Sequence, residues 1–196
     1  GTDAGKLKQA IAQANFDGGN VGDVKVTNNG TIDVAGKESI GLLGVAYRTG
    51  TNGKLVVDEF GTGAIGQGKV NIVNKGSIGL DGQGATGMFA KNNKTGTTFT
   101  NATALNDTTG IITTTGTRSA GMAGERASVT NRGTINVNGQ KGTGMFAESS
   151  SRIENSGTIN IAAASSANEP NIGIFTEDQN TEIHNNKDII GGNNTY

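Results

Sequence analysis

The chain has 196 residues, of which 33% are hydrophobic and 4% aromatic, and its 33 glycines contribute no side chain to a core. This composition excludes the thick core of an ordinary globular domain and favours thin, repeated layers. The formal net charge of -1 and the absence of cysteine exclude a basic nucleic-acid surface, disulfides and thiolate metal sites. No apolar run reaches the length of a membrane helix, so we expect no membrane insertion by this segment.

Residues 1–23 differ from the rest and are predicted to form a helical cap or flank. Asp3 can cap a short helix that ends near Ala14, with Leu7 and Ile11 on its apolar face. An uncovered sheet end offers unpaired backbone groups to other chains. We therefore expect this helix either to cover the first layer of the following domain, residues 24–196, or to lie beside it.

From residue 24 onward a nine-residue string recurs, reading aliphatic-x-Asn-x-Gly-[Thr/Ser]-Ile-x-aliphatic. Clear copies occupy residues 26–34, 72–80, 129–137 and 153–161, and weaker ones lie around Gly53, Gly110 and 183–189. Most successive copies are 23 or 24 residues apart. The two longer intervals contain polar insertions, near residues 91–104 and 162–171. A second string, exemplified by Gly144-Met-Phe146, follows most copies at a fixed offset.

The repeat predicts an all-β fold, a parallel β-helix of about 23 residues per rung. Its segments are short, rich in Thr, Ile and Val, and alternate in polarity with period two, as strands do. Asn-x-Gly ends each segment, and both residue types tolerate positive φ at a corner. Leucine-rich repeats have a similar length, but their leucine spacing is absent.

Equivalent residues of successive rungs should stack about 4.8 Å apart in ladders. The predicted inward ladders are Ile32, Leu55, Ile78, Ile112, Ile135, Ile159 and Ile189; Val34, Val57, Leu80, Thr114, Val137 and Ile161; and Leu42, Ile65, Met88, Met122, Met145 and Ile174. One corner should carry Asn28, Asn74, Asn131, Asn155 and Asn185, whose amides can pair from rung to rung.

Little in the sequence supports catalysis, and we expect no enzyme, no cofactor and no metal site. The single histidine, His184, has no acid or nucleophile at a recognisable spacing. The adjacent acidic pairs Asp58-Glu59 and Glu177-Asp178 fall on different rungs, too far apart to act together on a sugar. A calcium-type Gly-Asp repeat occurs only as the fragment Gly79–Gly82.

Loops on rigid scaffolds usually carry recognition, so the insertions and the acidic pair that follows them supply the candidate receptor contacts. These candidates are Lys91, Asn93, Lys94, Asn168, Glu169, Glu177 and Asp178. The alternative is that the insertions are neutral variations in length.

The string Asn131–Val137 followed by Gly144-Met-Phe-Ala147 resembles passenger domains of large bacterial autotransporters, most of all fusobacterial outer-membrane adhesins. The resemblance covers about residues 24–190 and implies a right-handed β-helix displayed at the cell surface. It also implies secretion and anchoring through an outer-membrane barrel outside this chain. No catalytic residues are carried over from that family.

The resulting hypothesis is a non-catalytic, monomeric adhesin segment that attaches to a protein or glycan on host cells or other bacteria. One alternative is a pectate-lyase-like enzyme acting on polysaccharides, which a cluster of carboxylates or arginines aligned across neighbouring rungs would favour. The other is a spacer that holds a distal binding tip away from the cell.

Overall fold

The computed structural model describes residues 23–46, 64–66, 68–93 and 99–196. The predicted N-terminal helix lies outside these residues, and the domain boundary at residue 23 stays a prediction. Within the described ranges the regular structure is β-strand, apart from one 3-10 turn at Phe99–Asn101. The strands in chain order are β1 Val24–Asn28, β2 Thr31–Val34, β3 Ile40–Ala46, β4 Ala64–Gly66, β5 Val70–Asn74, β6 Ser77–Leu80, β7 Thr86–Asn92, β8 Ala102–Asn106, β9 Ile111–Thr114, β10 Ala120–Glu125, β11 Ser128–Asn131, β12 Thr134–Val137, β13 Thr143–Glu148, β14 Arg152–Asn155, β15 Thr158–Ile161, β16 Ile172–Thr176, β17 Glu182–Asn185 and β18 Ile189–Gly191.

These strands form three six-stranded sheets, in which the pairing is parallel. Sheet A has the order β1-β5-β8-β11-β14-β17, and sheet B has β2-β6-β9-β12-β15-β18. Sheet C has the order β4-β3-β7-β10-β13-β16. From β5 onward the chain visits A, B and C in turn and returns one rung further along. The predicted all-β parallel β-helix is confirmed.

Alternation along each strand decides which side chains fill the interior. In β12 the side chains of Ile135 and Val137 are completely buried, whereas Thr134 and Asn136 are partly exposed. Because successive side chains of a strand point to opposite faces, four residues supply two apolar groups to the core and two polar groups to the surface. Because each strand needs only two apolar side chains, a chain with few large residues can still form a continuous core.

The predicted inward ladders form across the described rungs. Ile135 pairs with Ile112 on one side and Ile159 on the other, and Met122 pairs with Met88 and Met145. The Ile row extends to Ile32, Ile78 and Ile189, the Met row extends to Leu42 and Ile174, and the second sheet B row is Val34, Leu80, Thr114, Val137 and Ile161. Thr114 occupies its predicted buried place without a hydrogen-bond partner for its hydroxyl.

The predicted rung around Gly53 is wrong. Strand β2 pairs directly with β6, so no strand lies between them at the place predicted for Leu55 and Val57. Both residues lie outside the described ranges. The segment carries Thr51 where the clear copies carry their corner asparagine, so it lacks the amide that joins neighbouring corners.

The placement of Ile65 in the methionine row is also wrong. Leu42 pairs directly with Met88, which leaves no position between them. Ile65 lies instead in β4, which pairs with β3 at Val45 and ends sheet C.

A continuous amide ladder runs along the corner between sheets A and B. Each asparagine donates its Nδ2–H to the Oδ1 of the asparagine one rung further along. The five links are Asn28 to Asn74 at 2.9 Å, Asn74 to Asn106 at 2.9 Å, Asn106 to Asn131 at 2.8 Å, Asn131 to Asn155 at 2.9 Å, and Asn155 to Asn185 at 2.9 Å. The predicted pairing from rung to rung is confirmed, and Asn106 joins it.

Asn106 escaped the sequence pattern because its corner is longer than the others. It lies four residues before Gly110, whereas Asn131 lies two residues before Gly133. The register nevertheless places Asn106 opposite Asn131 and Ile112 opposite Ile135. The two extra residues are therefore accommodated within the corner and do not shift the strands that flank it.

The corner glycines are needed for space and not for positive φ, contrary to expectation. Of the described glycines only Gly84 has a positive φ. A Cβ on Gly133 would overlap the carbonyl oxygen of Gly110, and a Cβ on Gly157 would overlap that of Gly133. Neighbouring rungs are thus in backbone contact at this corner, and any larger residue would hold them apart.

We predict that Asn131→Ala lowers the free energy of unfolding by about 2–4 kcal/mol, because it removes two amide links and leaves the buried Oδ1 of Asn155 without its donor. Asn138→Ala, on the exposed turn of the same rung, should change it by less than about 0.5 kcal/mol. Urea titration followed by circular dichroism measures both. Equal effects of the two substitutions would contradict a stabilising ladder.

We predict that Gly133→Ala destabilises the fold by at least about 3 kcal/mol, because the added methyl group must displace backbone. Gly30→Ala provides a matched control at the equivalent corner of the first rung, where no atom of the described residues, apart from Gly30 and its chain neighbours, lies within 4 Å of the added Cβ. That variant should unfold within a few degrees of the parent protein in a calorimetric scan. Equal unfolding temperatures of Gly133→Ala and Gly30→Ala would contradict the packing argument.

Candidate functional site on the outer face of sheet C

A row of apolar side chains lies on the outer face of sheet C. Each member directly follows a residue of the inward methionine row, so strand alternation turns it outward. The row consists of Leu43, Phe89, Ala123, Phe146 and Phe175. The rings of Phe146 and Phe175 stack with centroids 5.9 Å apart and planes inclined by 24°, and Phe175 is 38% exposed.

Ala123 interrupts this row with a side chain of one carbon. Its neighbours one rung away on either side are Phe89 and Phe146. A cavity of about 350 Å³ opens over it, and Thr86 and Thr143 also contribute to its lining. We call this depression the Ala123 groove. Its floor is apolar and its length runs across the strands.

One side of the groove is formed by the arches that precede the strands of sheet C. Glu38, Arg118 and Lys141 occupy equivalent positions in these arches, with φ of 53°, 60° and 57°. The backbone N–H groups of Glu38 and Arg118 each donate to a carbonyl of the neighbouring arch. Glu38 and Arg118 line the groove. This arch rim therefore offers a carboxylate and a guanidinium group.

Charged residues lie at the carboxyl ends of the same strands, and of these Glu148 lines the groove. Lys91, Glu125 and Glu148 lie opposite one another on three successive rungs. The Nζ of Lys91 lies 2.9 Å from Oε2 of Glu125, and the Lys91 side chain is only 12% exposed. Arg126 approaches the other oxygen of Glu125 at 3.4 Å. We call Glu125, Glu148, Glu177 and Asp178, with these two cations, the carboxylate rim.

Glu148 connects the carboxylate rim to the groove, which it lines. Partial burial raises the pKa of its carboxyl group, and the negative charges of Glu125, Glu177 and Asp178 raise it further, against the opposing effect of Lys91. The net influence of these neighbours is repulsive. An anionic ligand would therefore meet an unfavourable field on this side of the groove.

The pKa of Asp178 is shifted in the opposite direction, below its ordinary value. Desolvation opposes ionisation of its carboxyl group, but the Thr181 hydroxyl and the backbone N–H groups of Asn180, Ser150 and Thr181 donate to it and together lower its pKa. The Thr181 hydroxyl lies 2.9 Å from Oδ2, and the N–H of Asn180 lies 2.8 Å from Oδ1. Asp178 is thus a fixed negative charge that organises its own turn.

The structure brings three of the predicted contact residues together at the carboxylate rim, namely Lys91, Glu177 and Asp178. Asn93 follows β7 directly, and its backbone N–H donates to the carbonyl oxygen of Ala46 at 2.7 Å. Lys94 lies outside the described residues. Their role as receptor contacts stays a prediction.

Asn168 and Glu169, the other two predicted contacts, lie on the exposed segment before β16. Glu169 forms an ion pair with Lys141 of the arch rim. The backbone N–H of Asn168 donates to the hydroxyl of Ser166 at 3.2 Å. The segment between β15 and β16 therefore reaches the arch rim, and the first insertion begins at the opposite rim with Lys91.

Sequence reasoning missed the groove, because it sought function in the insertions alone. The signal was present in the outward residues that follow the methionines, where Phe89 and Phe146 flank Ala123. Glu125 and Glu148 could have been found from the same register, because each ends a strand two residues after that row. Arg118 could not, since its position depends on the arch geometry.

The chemistry available is recognition of an apolar ring or chain between two polar rims. Across the residues that the structure describes, no cluster of three His, Asp or Glu side chains is arranged to hold a metal ion. His184 is exposed on sheet A, with Nε2 3.5 Å from a carboxylate oxygen of Glu182. No helix in the described ranges combines the length and apolarity needed to cross a bilayer.

Comparison with known proteins places this architecture in a family. The searches of curated proteins and of solved structures returned no match. The family model of the BigA third pectate lyase-like domain matches residues 58–188. This span contains five strands of sheet C, namely β4, β7, β10, β13 and β16. This match covers more than half of the chain, which therefore belongs to the BigA third pectate lyase-like domain family.

Proposed function

We propose that the chain is a non-catalytic, surface-displayed adhesin segment that binds its partner through the Ala123 groove. The observation that carries the proposal is the row of phenylalanines on the outer face of sheet C. The proposed display is that of a bacterial autotransporter passenger of the fusobacterial type, supported by the resemblance of the repeat and by the family match. The partner is a protein or glycan on host cells or other bacteria.

The interior does not require the phenylalanine row, although Phe89 also packs against the buried Leu43 and Val45 on the outer face of sheet C. The inward ladders already fill the core, whereas Phe89 and Phe146 are half-buried and Phe175 is exposed on the opposite face of the strands. Large apolar side chains grouped on an otherwise polar surface commonly mark a binding site. Covering one such ring completely contributes about 1.5–3 kcal/mol, so two or three rings can support useful affinity.

The β-helix suits a binding segment because its outward positions are held by a rigid stack. Phe89 and Phe146 each belong to a strand paired on both sides, so little conformational entropy is lost when a partner orders them. Preorganised sites on regular strands are more accurate than sites on loops. We expect the segment to act as a monomer.

A second candidate function is cleavage of a polysaccharide. The observation that favours it is the alignment of Glu125, Glu148 and Glu177 on neighbouring rungs beside the groove, because sugar hydrolysis uses paired carboxyl groups. The raised pKa of Glu148 would suit a general acid. Glu125, however, is engaged by Lys91 and Arg126, which favours a structural ion-pair cluster and leaves adhesion as the primary proposal.

We predict that the purified segment, labelled with a fluorophore, binds to epithelial or bacterial cells and that Phe146→Ala weakens this binding about tenfold or more. The reason is loss of one wall of the groove. Ile111→Ala is the matched control, because Ile111 is 43% exposed on the outer face of sheet B. Ile111→Ala should bind like the parent protein. Flow cytometry measures the binding of the parent segment and of both variants.

Thermal melting identifies any variant that has lost its fold. Equal binding by Phe146→Ala and the parent protein would reject the groove as the contact surface. If the parent segment binds no cell type in a panel of host and bacterial cells, the spacer hypothesis replaces the adhesin hypothesis.

We predict no release of reducing ends or unsaturated sugars when the segment is incubated with pectin, heparin or hyaluronan. Chain cleavage that disappears in Glu148→Gln would instead establish the enzymatic candidate. This substitution keeps the size of the side chain and removes the ionisable group. Glu38→Gln, at the opposite rim, provides the comparison for a carboxylate that lines the groove without acidic neighbours on adjacent strands.

A further inference from the structure

The Ala123 groove has the dimensions of one missing ring. Neighbouring rungs are about 4.8 Å apart, so the Cα atoms of Phe89 and Phe146 are separated by about 9.6 Å. Phe146 and Phe175, which lie on neighbouring rungs, stack directly on each other with ring centroids 5.9 Å apart. Between Phe89 and Phe146 only the methyl group of Ala123 occupies the row. The space left is that of a flat ring one rung thick.

A peptide strand is poorly suited to this site. The backbone groups of β7, β10 and β13 already pair within sheet C, so the face of the sheet offers no ladder to an added strand. A peptide lying across it would bury polar backbone groups without partners, at a cost of about 1–3 kcal/mol for each group. A sugar ring has its polar groups around its edge and an apolar face of C–H groups, which matches an apolar slot between hydrogen-bonding rims.

The rims supply the groups that a sugar edge requires. Glu38 and Arg118 lie on one side and Glu148 on the other, and Thr86 and Thr143 also line the groove. Carboxylates accept hydrogen bonds from sugar hydroxyls, the guanidinium donates to them, and threonine hydroxyls do both. The volume of about 350 Å³ lies at the small end of ligand pockets, roughly 300–1,000 Å³, which suits one or two rings.

The charges around the groove select among sugars. Glu148 faces Glu125, Glu177 and Asp178, with Lys91 as the opposing charge, and this environment disfavours further negative charge. Lys91 is already paired with Glu125, and Glu38 and Arg118 give the arch rim one lining residue of each charge. Sialic and uronic acids would therefore bind less well than uncharged sugars, which carry no net charge into this field.

We propose that the space over Ala123 is a subsite for one uncharged hexopyranose ring, a hexose or N-acetylhexosamine, of a cell-surface glycan. The ring inserts between the faces of Phe89 and Phe146, and its hydroxyls bond to the two rims. This inference rests on the adhesin function proposed above, because it names the class of ligand that the same groove binds.

The test is a printed array of neutral, sialylated and uronic-acid oligosaccharides, followed by calorimetry with the neutral compound that binds best. The parent segment should bind neutral glycans, and Ala123→Phe should weaken this binding at least tenfold because the new ring completes the row. Ala123→Leu fills the space less fully and serves as a second variant if the first fails to fold. Ile111→Phe adds a ring on the outer face of sheet B, away from the groove, and should bind within about twofold of the parent.

The outcomes separate the ligand class from the broader function. Binding of neutral glycans that is unchanged in both filled variants, or binding of acidic glycans alone, overturns the subsite. Cell binding that Ala123→Phe abolishes, with no glycan bound on the array, also overturns it, but preserves the adhesin function with a protein partner. Absence of both glycan and cell binding removes the adhesin function as well.

Discussion

The structure depends on backbone contact between rungs at their corners. At the corner between sheets A and B, the amide ladder from Asn28 to Asn185 holds each rung to the next. Beside it, Gly133 and Gly157 leave no space for a Cβ against the rung before them. Attraction through the amides and exclusion of side chains by the glycines act on the same few residues. Together they hold rungs at strand spacing, and the ladders of apolar side chains can then stack in register.

This constraint explains which parts of the fold were predictable from the sequence. The rows through Ile135 and Met122 were predicted correctly, because an inward residue must repeat in type at every rung and alternate along its strand. Spacing alone was a weaker guide. The copy at Gly53 has the expected interval but lacks the corner amide, and β2 pairs directly with β6 without a rung between them. Asn106 has the amide at an unexpected interval, and it does join the ladder.

The candidate site was less predictable, because outward residues are not required to repeat. The row through Phe89, Ala123 and Phe146 could be derived from alternation once the methionines were assigned to the interior. The two rims could not be predicted from alternation alone, because one consists of residues before the sheet C strands and the other of residues at their carboxyl ends. The left-handed conformation of Glu38 and Arg118 is unusual for residues that are not glycine, and no local pattern indicated it. Of the predicted contacts, Lys91 lies opposite Glu125 in the strand register, Glu177 and Asp178 lie near Glu148, and Glu169 pairs with Lys141 of the arch rim.

The difference between interior and exterior also explains where function can develop. Thr114 interrupts an apolar row inside the coil and leaves its hydroxyl buried without a partner, which costs about 1–3 kcal/mol. Ala123 interrupts an apolar row on the outside, where solvent or a ligand can occupy the space, and the stacking of β7, β10 and β13 is unaffected. A change of size in an outward row therefore creates a shaped cavity at small cost in stability. In a stacked fold, a binding site can arise from one small residue in a row of large ones, provided that the rungs on either side stay in register.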